Sequence, residues 1–236
     1  MLRELHLAHA THIPFENLDI LLGRPIQLDL ESLQAKLVHG KRGGYCFEQN
    51  LLFAAALEGL GFSVTRLAAR VRLGRPQLLP RTHMLLKVDV DGGPWLADVG
   101  FGGEGLLLPV PMSPGDVSRQ YCWTYRVIED AGLWVLQSLH GALWQDMYAF
   151  TLEPQYQVDY EVANYYVSTH PSSIFVQTLT VQRPTPEARY ILRGQEFTVA
   201  RGQSLENRTI TDDKLLRLLA DTFGLEFPEG TRFQTS

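Results

Sequence analysis

Two cysteines in 236 residues are too few for a disulfide framework. Cys46 and Cys122 can form one bridge at most, and a reducing cytoplasm is the expected compartment. No run approaches the roughly 20 apolar residues that cross a bilayer. The opening MLRELHLAHATHIPF has no apolar stretch of signal-peptide length, so neither membrane attachment nor export is expected. An excess of positive charge is missing too. The net charge of −5 argues against a general nucleic-acid binder, whose phosphate contacts need a basic footprint. Internal repeats and low-complexity segments are absent. What remains, 45% hydrophobic and 20% charged, is an ordinary soluble composition with enough chain for a sizeable core.

Three stretches differ in hydrophobic period. Residues 1 to 62 read as mostly helical: Leu30, Leu33 and Leu37 recur at helical spacing, and Asn50 to Leu60 is rich in leucine and alanine, with Gly61 as its stop. Residues 63 to 165 carry short β-rich runs such as VTRLAARVRL, HMLLKVDV, PWLADV, YCWTYRVI and LWVLQSL. Gly, Pro and Asp turns separate them, which predicts an antiparallel sheet or barrel. From Tyr166 to residue 236, strand-like pieces (SIFVQTLTV, RYILRG, QEFTVAR) precede one amphipathic helix, DDKLLRLLADTFGL.

The chemistry centres on RGGYCFEQN. If a helix begins at Cys46 or Phe47, the sulfur sits at the positive end of the helix dipole, where unpaired N–H groups favour the attacking thiolate. Gly43 and Gly44 lack a Cβ, which leaves room for another molecule to approach the backbone. The Cys46 N–H is a candidate donor to an oxyanion. A nucleophilic sulfur needs a base, and the base needs an orienter. RTHMLLKVDVDGGPWLADVGFGG offers both, as His83 opens one strand and Asp98 ends the returning one. With Asp91–Pro94 as the loop, Val90 faces Trp95, and Asp98 lies on the face of His83 but roughly 13 Å along it, at ~3.3 Å per residue. A tighter turn centred on Val90 and Asp91 sets the two opposite each other. Both registers leave them on one face; a one-residue slip separates them. His6, His9 and His12 have no carboxylate or cysteine cluster nearby and read as surface or packing residues, with no metal site expected. His140 and His170 show no partner.

RGGYCFEQN, RTHMLLKVDV and WLADVGFGG, with IPFENLDILLGRPIQLD upstream and NYYVSTHPSSIFVQ downstream, closely resemble the bacterial arylamine N-acetyltransferases over nearly the whole chain. The resemblance implies an α+β fold in three parts: an N-terminal helical domain with the cysteine (1–62), a central antiparallel β-barrel with the histidine and aspartate (63–165), and a C-terminal α/β lid (166–236). The first two parts are arranged as in papain-like cysteine enzymes. It implies that Cys46 accepts the acetyl group, His83 is the base and Asp98 orients the imidazole. Acetyl-coenzyme A acylates the sulfur, and an arylamine, arylhydrazine or N-hydroxyarylamine discharges it, in a ping-pong sequence. Family members usually carry further helix ahead of this first segment, so a shortened helical domain is expected.

By the same resemblance the loop after Asp98 lies along coenzyme A, making Thr82, Gly100, Phe101, Gly102 and Gly103 candidate contacts. It does not match a P-loop. A local basic patch for the phosphates is expected, although the sequence leaves its arginines open. Phe15, Val71, Phe101 and Phe175 fall where the family lines its acceptor cleft, and Glu16 and Arg42 are expected to form an ion pair bracing the cysteine loop. The partners expected are coenzyme A and a small aromatic amine or hydrazine, with no nucleic acid and no membrane, for a monomer or homodimer. Two other classes use the same residues. One is a cysteine hydrolase, in which water takes the acyl group, and the other is a binding module, which would have lost part of the triad; all three residues are present.

Overall fold

Residues 1–74 and 77–234 are described by the computed structural model. The helical part comprises α1 (Leu2–His12), α2 (Leu18–Leu21), α3 (Leu30–Leu33) with a π-helical turn continuing it over Gln34–His39, and α4 (Cys46–Gly59). Asp29 caps α3 by accepting the Ser32 N–H at 2.9 Å. Every residue of α4 from Cys46 to Ala54 is buried, the polar Glu48, Gln49 and Asn50 included. Gly61, with φ of +85°, follows its last turn.

The middle of the chain forms an eight-stranded, nearly closed antiparallel barrel. Its strands are β2 (Ser63–Val71), β3 (His83–Val90), β4 (Gly93–Ala97), β5 (Val110–Pro111), β6 (Val117–Gln120), β7 (Trp123–Asp130), β8 (Leu133–His140) and β9 (Leu143–Phe150). They pair in the order β5-β4-β3-β2-β9-β8-β7-β6. Leu67, Leu85, Leu96, Tyr125, Leu136 and Tyr148 fill its core. The short β-rich runs of the sequence fall on these strands, and His83 to Leu86 and Met147 to Phe150 are buried on both faces.

After the barrel come α5 (Gln157–Thr169), α6 (Ile174–Gln177), strands β10 (Thr180–Pro184), β11 (Arg189–Arg193), β12 (Glu196–Arg201) and β13 (Ser204–Thr209), and α7 (Asp212–Phe223). The last four strands form a second sheet whose far edge is β1 (Phe15–Glu16), with Phe15 opposite Gln182. The N-terminal segment is thereby hydrogen-bonded to the lid. α5 runs across the expected boundary near residue 166. SIFVQTLTV is not one strand: the Ser173 side chain accepts the Phe175 N–H, starting a helical turn, and the strand begins only at Thr180. Among the described residues no helix is long and apolar enough to cross a membrane.

Candidate active site

Cys46 is the first residue of α4, with Tyr45 as N-cap, and it is buried. The Tyr45 N–H donates to Glu48 Oε2 at 3.0 Å, which fixes the helix start one residue before the sulfur. The two glycines ahead of it serve the chain itself. A Cβ on Gly43 would stand 2.1 Å from Pro14 O, and one on Gly44 would stand 2.7 Å from Glu48 Oε2. The space expected for another molecule is filled by Pro14 and the Glu48 side chain, and β1 pairs with Gly44 through Glu16 N–H to Gly44 O at 3.1 Å.

A buried charge network lies beneath this loop. Arg42 binds Glu16 through Nη2 at 2.6 Å, the expected pair, and also Asp19 at 3.2 Å. Lys36 continues the network to Asp19 at 2.8 Å and to Glu48 at 2.7 Å. Burial pushes the Glu48 carboxyl up to about 7 in spite of Lys36. The network anchors both ends of the cysteine loop to α2 and the π-turn.

His83 and Asp98 meet through a register between the two considered. Val90 faces Gly93 and Leu86 faces Ala97, so the turn is the dipeptide Asp91-Gly92. His83 and Asp98 are then diagonal neighbours on one face, within side-chain reach, and His83 Nε2 lies 2.7 Å from Asp98 Oδ2. Both side chains are buried. Burial disfavours the imidazolium, yet the Asp98 charge and its hydrogen bond, with Cys46, outweigh it and push the His83 pKa up to about 10. Burial likewise works against the carboxylate, but the His83 charge and the hydrogen bonds that Asp98 accepts hold its pKa below the usual range.

Asp98 is held on every side. Its Oδ1 accepts from Asn50 Nδ2 and from the Gly100 N–H, each at 3.0 Å, and its Oδ2 accepts from Tyr148 OH at 2.9 Å as well as from His83. Asn50, one turn along α4 from Cys46, also donates to Met84 O at 2.8 Å and accepts the Val99 N–H at 3.1 Å. One amide thus sets helix and barrel against each other. Nothing in the sequence marks Asn50 or Tyr148 as site residues, because their partner lies 48 and 50 positions away.

Cys46 and His83 open onto a cleft of about 270 Å³. Phe15, Val71, Thr82, Gly100, Phe101 and Phe175 line it, so most of the candidate contacts converge there. Phe101 packs edge-on against the His83 ring at 5.0 Å, and Phe15 lies against Phe175 at 5.7 Å. Gly100 passes so close to the helix that a Cβ there would stand 2.8 Å from Cys46 Cα. Gly102 and Gly103 lie outside the lining, and the Gly103 N–H donates to Gln182 Oε1 at 2.6 Å. The N–H groups of Gly100 and Gly103 are therefore already engaged within the chain. The sequence did not single out the polar residues lining the cleft from the lid, Thr180, Gln182 and Arg193, or Glu104 beside them. Thr180 and Arg193 are register partners on β10 and β11, a relation that only the sheet reveals. A larger cleft of about 760 Å³ between α4, α5 and residues 25–30 contains none of Cys46, His83 or Asp98.

A buried thiol at a helix N-terminus, beside an imidazole that a carboxylate charges and orients, is equipped for acyl transfer. Comparison with known proteins agrees. A family model described as N-acetyltransferase matches residues 1–231. The Salmonella typhimurium protein named arylamine N-acetyltransferase / N-hydroxyarylamine O-acetyltransferase is 43% identical over 228 residues, covering 95% of this chain and 81% of that one. An arylamine N-acetyltransferase of Mycolicibacterium smegmatis is 43% identical over 226 residues, covering 93% and 82%. Among solved structures, the arylamine N-acetyltransferase from Salmonella typhimurium superposes with a TM-score of 0.91 at 41% identity, covering 99% of this chain and 87% of that one. The Mycobacterium marinum enzyme in complex with CoA does so with a TM-score of 0.90 at 38% identity, covering 94% and 85%.

Proposed function

Since the chain belongs to the arylamine N-acetyltransferase family, we propose that it carries an acetyl group from acetyl-coenzyme A to an arylamine, arylhydrazine or N-hydroxyarylamine through a thioester on Cys46. The observation that carries this reading is the 2.7 Å contact of His83 Nε2 with Asp98 Oδ2 in the wall of the cleft that contains Cys46. With Nε2 committed to Asp98, Nδ1 is the ring nitrogen left to serve the sulfur.

The Cys46 thiolate attacks the acetyl carbonyl of the donor, and the oxyanion is met by the Cys46 N–H at the start of α4. The carbon–sulfur bond to coenzyme A breaks, and the departing thiolate takes the proton from His83. Thioester exchanges for thioester, so this half-reaction is nearly isoenergetic. The acceptor nitrogen or oxygen then attacks the acetyl-cysteine, His83 removes its proton, and Cys46 leaves as thiolate. The Phe15, Phe101 and Phe175 rings suit a flat aromatic acceptor. Release of coenzyme A thiol from acetyl-coenzyme A, followed with and without an aromatic amine, tests the scheme. Turnover that rises with amine supports transfer; release indifferent to amine, together with peptide cleavage, means a hydrolase.

Arg193 is the one lysine or arginine among the described residues lining the cleft, and its side chain is exposed. It makes no ion pair among them, which suits a contact to the coenzyme A phosphates. Arg193→Ala is expected to raise KM for acetyl-coenzyme A about fivefold, the size of one exposed charge contact of ~1 kcal/mol. The effect should fade at high salt and be absent when p-nitrophenyl acetate is the donor. Equal losses with both donors would count against a phosphate role.

A further inference from the structure

His6, in the middle of α1, is fully buried and lies 92 positions from the residue it serves. Its Nδ1 is 3.0 Å from Leu107 O, and its Nε2 is 3.1 Å from the backbone nitrogen of Asp98. These two partners leave a single protonation state. A carbonyl only accepts and a peptide N–H only donates, so Nδ1 carries the hydrogen and Nε2 offers its lone pair. Burial also presses the ring toward this neutral form, with its pKa lowered to about 4. Phe53 of α4 packs edge-on against the ring at 5.6 Å, so rotation is blocked from the helix that carries Cys46.

We propose that His6 is a positioning residue for acyl transfer: its Nε2 lone pair holds the Asp98 peptide just past the end of β4 and so sets where that carboxylate meets His83. Asn50, Gly100 and Tyr148 hold the Asp98 carboxylate, and His6 holds its backbone, which no other side chain among the described residues does. Without that acceptor a buried N–H is left unpaired, and the segment Asp98–Phe101 that lines the cleft is free to shift. A shift of tenths of an ångström there alters the His83 contact and with it the imidazolium beside the sulfur. The histidines of α1, which read in the sequence as surface or packing residues, include one that faces the catalytic aspartate and a second, His9, 2.6 Å from Gln49 Oε1.

The inference rests on Asp98 orienting His83, and paired amide variants separate the two claims. His6→Gln reaches the Nε2 position with an oxygen that accepts the Asp98 N–H. His6→Asn is shorter; it mimics the Nδ1 donor toward Leu107 and leaves the Asp98 N–H bare. Three quantities are measured well below both melting temperatures: arylamine acetylation, the pH profile of Cys46 alkylation by iodoacetamide, and thermal unfolding. His6→Gln is expected to stay within about threefold of the parent enzyme in transfer and alkylation. His6→Asn is expected to lose roughly tenfold in both, the scale of one buried hydrogen bond, with an altered alkylation profile. If the two variants behave alike, or if rates follow melting temperature rather than the acceptor, the brace is overturned. If Asp98→Asn leaves transfer intact, the underlying reading falls first and the inference with it.

Discussion

Cys46→Ala is expected to abolish acetyl transfer, leaving at most the residual that binding alone supplies, a loss of roughly 10⁴-fold or more. Mixing the parent protein with acetyl-coenzyme A should add one acetyl group to the intact mass, and the variant should add none. The size of the effect follows from the scheme. Without the sulfur the acceptor must attack the donor directly, which requires both to be in the cleft at once. A cleft of about 270 Å³ is small for that, and alternation through one sulfur removes the need. The fold should survive, because the substitution keeps the helix start set by the Tyr45 N–H and Glu48 and removes only the sulfur. An acetyl adduct that persists on the alanine variant would move the nucleophile elsewhere, Cys122 being the other thiol, and that one is exposed.

Asp98→Asn is expected to cost roughly 10³- to 10⁴-fold in transfer, the scale seen when an orienting carboxylate becomes an amide. The carboxylate is what raises His83 to about 10. Once it is removed, Cys46 alone is left to oppose burial, and the imidazole is expected to fall back to or below its ordinary value of about 6.5. At pH 7 the ring is then neutral, and the sulfur loses the cation beside it. Iodoacetamide alkylation of Cys46 at pH 7 should slow in parallel with transfer. The linked stability has a definite sign. The raised His83 pKa contributes stability that is fully present below about pH 6.5 and lost as pH rises through about 10. The depressed Asp98 pKa contributes stability present above its unfolded value of about 3.9 and lost as pH falls through the lower folded one. The parent protein should therefore hold a stability plateau between these limits, and Asp98→Asn should lose its alkaline shoulder. Unchanged alkylation at pH 7 in the variant would show that the carboxylate does not charge the ring.

Much of this site was legible in one dimension. Cys46 stands where a helix begins, and the β-rich run HMLLKVDV is the strand His83–Val90. The parity of the hairpin kept His83 and Asp98 on one face in each register considered. The actual register depended on which residues turned, Asp91-Gly92, and neither the pattern of apolar residues nor the glycines nearby distinguishes turns that differ by one residue on each side. The double glycine was legible as a close approach but not as whose: Pro14 and Glu48 of the same chain fill the space. SIFVQTLTV misled because a serine cap outweighed β-prone residues over one helical turn.

Local information determined the kinds of chemistry and their order along the chain: a thiol at a helix start, an imidazole at a strand start, a carboxylate past the next strand, and aromatic side chains before and after. Each follows from spacing and side-chain type, which act over a few residues. Tertiary structure alone decided which groups hold them in place. His6, Asn50 and Tyr148 converge on Asp98 from a helix at the chain's beginning, the helix that Cys46 starts and a later strand of the barrel, and Arg193 reaches the cleft from a lid strand on which it is the register partner of Thr180. Hydrogen bonds and charges act over a few ångströms, and only sheet register and helix packing bring positions so distant in sequence within that range.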